Sequence, residues 1–180
     1  MSGRQFALAT VVEASRPSPR GIGSVLAVSE DGDSFIGSVR AGCVENEVIQ
    51  AAKACMDDGQ TRWLTFGPEN GFPWEIALSC GGRIRVRVER FVGSANSAIG
   101  EALGNLLDEQ HSGLLLSADG GHCLFDESGT LLAEAGGVSE ELVQVGRDHL
   151  KSGGGTVEVD WEDGRALLRV LARPKRLFVI

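Results

Sequence analysis

Over "GGRIRVRVERF", residues 81–91, apolar and polar residues alternate with a period of two, and residues 6–14 also read as a strand. That period predicts strands with one face buried and the other solvated. Between them, "SVLAVSEDGDSFIGSV" reads as two β-prone arms around Asp31-Gly32, a hairpin turn. From Cys43 to about Asp58 the period becomes helical: Val44, Val48, Ile49, Ala52, Cys55 and Met56 fall on one stripe, and "DDG" stops it. "TRWLTF" predicts a further strand and "GPENGFPWE" an exposed loop, so the first half reads β-β-β-α-β-loop-β.

The second half repeats this alternation of types with different residues. It predicts a helix over 95–110, a strand "GLLLSA", a hairpin "HCLFDESGTLLAEAG", a helix over 138–151 and a hairpin "GTVEVDWEDGRALLRVLA". Ser139 is placed to open the second of these helices, with Glu140 and Glu141 in its first turn. Together the elements predict an α/β (α+β) fold, a mixed but largely antiparallel sheet with packed helices. No fixed-period repeat and no low-complexity linker divides residues 1–173, which read as one domain. The final "ARPKRLFVI" has the form of a lead-in to a buried parallel strand. Residues 174–180 therefore read either as the start of a truncated Rossmann-type strand or as an edge strand or tail.

A chain of 180 residues with 42% hydrophobic content suits a compact domain with a real core. Its net charge of −8 opposes a nucleic-acid partner, because such binding needs clustered Lys and Arg to neutralise phosphates. The longest apolar runs, such as Leu114 to Leu116 and Leu177 to Ile180, fall far short of the roughly 20 residues that span a bilayer. The N-terminal "MSGRQFALATVVEAS" is interrupted by Glu13 and reads as a first strand, not a signal peptide, so the cytoplasm is the expected compartment.

Four cysteines, Cys43, Cys55, Cys80 and Cys123, are widely spaced with no CxxC pair, which suggests neither a zinc ribbon nor a disulfide framework. Cys43 follows Gly42 where a β-type run turns helical. There the helix dipole and free N–H groups stabilise thiolate, and a glycine lets a ligand, for instance a phosphate, approach the backbone. The alternative is a small buried hydrophobe. Cys80 stands before Gly81-Gly82 at the mouth of a strand, where successive N–H groups can form an anion-binding concavity, or simply a flexible turn. Two such junctions can present sulfur and amide donors to one pocket, a soft set suited to molybdenum, copper(I), zinc or persulfide sulfur.

Arg20, after two prolines and before Gly21, is either a rigidly held grip for phosphate or carboxylate or an exposed solvated side chain. Glu45, in the first turn after Cys43, either favours the helix dipole or accepts a proton from the thiol. Cys55 lies on the apolar stripe of its helix and reads as core. His122-Cys123, without further ligands, is a poor metal signal. Trp74 reads as a buried anchor or a pocket cover.

In order along the chain, "ATVVEASRPSPRGIG", "GSVRAGCVENEVI" and "WEIALSCGGRIRVRVE" resemble the N-terminal domain of the XdhC/CoxI family over about residues 6–91. These are accessory proteins of molybdenum hydroxylases such as xanthine dehydrogenase and carbon monoxide dehydrogenase. The resemblance implies a chaperone that transiently binds the molybdenum cofactor, a pterin carrying a dithiolene and a phosphate. It would protect the cofactor while a cysteine desulfurase supplies its sulfur, and deliver it to the apo-hydroxylase.

Cys43 and Cys80 match the cysteines of the family's GCVE and CGG motifs, with Gly42, Glu45, Gly81 and Gly82 their neighbours, and Arg20 matches the arginine of SPR. Arg40-Ala41 departs from the small residues expected before Gly42 and sets a bulky cation there. The family's usual Rossmann domain would follow "PKRLFVI", and its absence implies a split or truncated member, with a separate Rossmann chain or self-association through 176–180 as further expectations. A sulfur carrier or transferase, and a non-catalytic half of a split accessory protein, are the competing readings.

Overall fold

The structure, a computed structural model, describes residues 5–15, 21–40, 42, 44–67, 82–93, 97–119, 121–161 and 164–172, apart from the side chain of Leu107. The expected strand or tail at 174–180 lies outside these residues. The chain divides into two compact units, Met1–Ser94 and Ala95–Ile180. The stretch read from sequence as a single domain thus contains two sheets, each with its own core.

The first unit holds β1 (Gln5–Ala14), β2 (Val25–Ser29), β3 (Phe35–Gly37), α1 (Glu45–Asp58), β4 (Arg62–Phe66) and β5 (Ile84–Val92). Its strands lie in the order β3-β2-β1-β5-β4. The β2–β3 turn forms as expected: Gly32 takes φ +71°, and the Asp31 carboxylate accepts from Ser29 Oγ and from the N–H of Asp33. α1 packs against β1, β4 and β5, burying Val48, Ala52, Cys55 and Met56 against Ala7, Ala9, Val11, Val86 and Val88. Gly59, with φ +76°, ends the helix by donating its N–H to the Cys55 carbonyl.

The second unit holds α2 (Ser97–Asp108), β6 (Gly113–Ala118), β7 (Gly121–Asp126), β8 (Leu131–Gly136), α3 (Glu140–Ser152), β9 (Val157–Trp161) and β10 (Gly164–Leu171). Its strand order is β8-β7-β6-β10-β9. Counted from the first strand of each unit, both sheets therefore run 3-2-1-5-4, and both place a helix between the third and fourth strands. The second unit is a topological copy of the first with α2 added in front. Its core gathers Leu114, Leu116, Cys123, Phe125, Ala166 and Leu168 under Leu142 of α3.

The fold class agrees with the sequence reading, and every strand pair among the described residues is antiparallel. One expectation is corrected. The polar face of β5 is not solvated: Arg87 is 1% and Glu89 3% exposed, forming an ion pair at 3.5 Å, while the Arg85 guanidinium lies 4.5 Å from the centre of the Trp63 ring. Alternation reports side-chain polarity, and charges that find partners can be buried on the polar face.

Candidate functional site

Register decides at which end of the sheet each connection is rooted. At one end of the first sheet Ala14 ends β1 opposite Ile84, the start of β5, and Phe66 ends β4 opposite the same Ile84. On the other side Val25 begins β2 opposite Thr10, and Gly37 ends β3 opposite Leu26. The connections 15–24 and 67–83 therefore leave and re-enter the sheet at this end, and 38–44, which leads into α1, leaves it here. They carry Arg20, the CGG segment and the GCVE segment respectively.

Backbone bonds tie the roots of these connections together. The Ser15 N–H donates to the Arg83 carbonyl at 2.8 Å, and Ser15 Oγ accepts from the Arg83 N–H at 2.6 Å. The Ser38 N–H donates to the Val25 carbonyl at 2.9 Å. Gly37 has to be glycine: a Cβ there would lie 2.3 Å from the Val25 carbonyl oxygen, and its φ is +96°.

Of the residues singled out from sequence, Gly42, Glu45 and Gly82 are described, whereas Arg20, Cys43, Cys80 and Gly81 lie outside the described residues, as does Trp74. Gly82 is buried beside Gly67, where an added Cβ would stand 3.2 Å from the Gly82 carbonyl oxygen. Gly42 adopts φ +104°, with no atom of the described residues within 4 Å of the position of a Cβ, so its conformation calls for glycine.

The most structured feature at this end is Glu45. α1 begins after Val44, which has no capping side chain. The Glu45 carboxylate instead reaches back over the preceding loop. Its Oε1 accepts from Ser38 Oγ at 2.6 Å and from the Arg40 N–H at 3.1 Å. Its Oε2 accepts from the N–H groups of Gly42 at 2.8 Å and Val44 at 3.1 Å, the two residues that flank Cys43 in the chain.

Burial pushes this carboxyl up, but the bonds from Ser38, Gly42, Arg40 and Val44 outweigh burial and hold its pKa at about 2. Such an acid is a poor proton acceptor near neutrality. Arg40, the bulky cation that departs from the family pattern, is fully buried and is not a surface charge. Sequence reasoning missed Ser38. The signal was a hydroxyl seven residues before a first-turn glutamate, too long a spacing for a standard capping box.

The other thiols behave as packing groups. Cys55 is fully buried with Sγ 3.7 Å from the Val88 carbonyl oxygen, and burial pushes its pKa up. Burial likewise raises the Cys123 thiol to about 11. The neighbouring His122 turns to the other face of its strand, where Nδ1 lies 3.1 Å from Ser117 Oγ. Among the described residues no group of His, Cys, Asp and Glu could hold a metal ion, and no helix is long and apolar enough to cross a membrane.

Residues 1–67 match the XdhC and CoxI family. The matched stretch takes in the SPR and GCVE segments and stops before CGG, so over it the family resemblance stands. The molybdenum cofactor insertion chaperone PaoD of Escherichia coli (strain K12) is 36% identical over 91 residues, 50% of this chain and 28% of PaoD. A crystal structure of a xanthine dehydrogenase from Bacillus halodurans superimposes with a TM-score of 0.66 at 16% identity, covering 94% of this chain. The chain spans 49% of that solved chain, and the likeness shows the fold alone.

Proposed function

We propose that this chain binds the molybdenum cofactor and inserts it into an apo molybdenum hydroxylase of the xanthine dehydrogenase or carbon monoxide dehydrogenase type. One observation carries the reading: the SPR, GCVE and CGG connections all spring from the same end of the first sheet. The similarity to PaoD, itself a molybdenum cofactor insertion chaperone, supports it.

The donor set at this end fits a cofactor with soft and anionic parts. Cys43 and Cys80 supply sulfur, Arg20 a guanidinium for phosphate, and Gly81 and Gly82 a backbone that a ligand can approach closely. Gly42 and Glu45 act through the shape of the Cys43 loop. When bound, the cofactor supplies the molybdenum and the terminal sulfur chemistry, and the chain's own groups hold and shield it. Binding is transient, with a cysteine desulfurase as the sulfur source and the cytoplasm as the compartment.

Anaerobic mixing of the purified chain with molybdenum cofactor, followed by gel filtration and metal analysis, tests this. Stoichiometric retention that Cys43→Ala and Cys80→Ala lose is the expected result, and retention unchanged in both variants rejects the thiols as ligands. A competing role as sulfur carrier predicts persulfide on one thiol after incubation with desulfurase and cysteine. Mass spectrometry reads that directly, as a mass gain on the peptide of Cys43 or Cys80.

A further inference from the structure

The three backbone N–H groups of the loop before α1 form the kind of nest that binds an external anion in other proteins. Here they converge on a carboxylate of the same chain. With two oxygens and four donors, at 2.6 to 3.1 Å, Glu45 uses the acceptor positions the nest can reach. The residue is 8% exposed.

We propose that Glu45 is the resident anion of this nest, clamped by Ser38, and that the pair are positioning residues which hold the backbone on either side of Cys43. The amides of Arg40, Gly42 and Val44 are thereby closed to a ligand phosphate, which must be received elsewhere at this end of the sheet. An outside anion would have to displace one that is tethered a few atoms away, and tethering gives an effective concentration of about millimolar or more. It would also have to give up the Ser38 hydroxyl, whose short bond to Oε1 a free phosphate could not share without moving the loop. The carboxylate stays ionised throughout the physiological range, so the nest remains filled whatever the pH of the cell. The functional importance of this geometry rests on the reading of Cys43 as a ligand-binding thiol, but the nest itself can be tested without any cofactor.

The experiment uses the full chain, inorganic phosphate and iodoacetamide, with modification of each cysteine followed by peptide mass spectrometry. Phosphate should slow the alkylation of Cys43 less in wild type than in Glu45→Ala. Ser38→Ala and Glu45→Gln should each raise its alkylation rate about tenfold, the change expected when one charge-assisted bond closing the loop is lost. Buried Cys55 and Cys123 serve as internal controls for global unfolding.

Ser38→Thr, which keeps the hydroxyl, should restore the wild-type rate, a rescue that a merely space-filling serine would not require. In Glu45→Ala, which empties the nest, phosphate should slow Cys43 alkylation and raise the melting temperature beyond its effect on wild type. Protection of wild-type Cys43 by phosphate as strong as in Glu45→Ala, or Cys43 rates unchanged in both Ser38→Ala and Glu45→Gln, would overturn the inference. Failure of the chain to retain molybdenum cofactor would count against the proposed function and leave these readouts untouched.

Discussion

At the motif-bearing end of the first unit the connections run over 15–24, 38–44 and 67–83; at the matching end of the second they run over 119–120, 137–139 and 162–163. The strand order beneath them is the same. Helix starts differ in the same sense. α3 begins with an ordinary cap, Ser139 Oγ accepting from the Leu142 N–H at 3.3 Å, whereas α1 lacks a capping side chain and is closed by Glu45 folding back over its loop. In the second unit the short connections leave a pocket of about 260 Å³, walled by Val138, Leu142 and Trp161 with Asp119 and Arg165 at its polar side. One scaffold is thus used twice. Long connections with glycine and cysteine appear in only one copy, as expected where loops carry chemistry and strands carry stability.

The comparison is most sharply tested in the two cores. Leu116→Ala in the second unit should cost about 2–5 kcal/mol of unfolding free energy in urea, by loss of burial and creation of a cavity. If the first unit carries the site by itself, the rate of Cys43 alkylation will not change in this variant. A parallel rise in that rate would break the comparison.

Glu45→Gln comes next, at about 3 kcal/mol. The carboxyl's pKa falls from 4.5 to about 2 on folding, so its contribution is fully present above pH 4.5 and is lost as pH falls through about 2. Wild type should therefore lose stability steeply over that acid window, and Glu45→Gln should show a flatter profile with its deficit confined to higher pH. Equal slopes in the two proteins would remove Glu45 as a stabilising anion.

Gly42→Ala should cost about 1–2 kcal/mol from the positive φ, no atom of the described residues standing within 4 Å of the added methyl group. Thermal melting reads this, and cofactor retention should drop with it if the loop's shape matters. The smallest effect belongs to Ser139→Ala, about 1 kcal/mol for loss of a helix cap, with no change in any property of Cys43. A larger loss of function there than in Gly42→Ala would reverse the assignment of roles to the two units.

Much of the local structure was legible because its causes are local. The Asp31-Gly32 turn, the Gly59 stop in "DDG" and the Ser139 cap each depend on residues within one turn of chain, and all form as their residue types require. The alternation of element types in the second half hinted at the duplicated topology, yet no residue repeat accompanied it. A fold can be copied with only its periods retained, since a core asks for apolar residues at the right spacing and not for particular ones.

The sequence by itself determined the strands, the helices, their caps and turns, the acidic balance, and the three segments whose residue types suit a sulfur-bearing, anionic ligand. Only the tertiary structure decided that the connections bearing those segments are rooted at one end of a sheet, since pairing of Ala14 and Phe66 with Ile84 joins residues far apart in the chain. It also decided that Arg87 and Glu89 are buried, and that the amides beside Cys43 are filled by Glu45. Hydrophobic period and turn chemistry act over a few residues and can be read in order. Register, burial of paired charges and the convergence of four donors on one carboxylate arise only when the chain has folded back on itself.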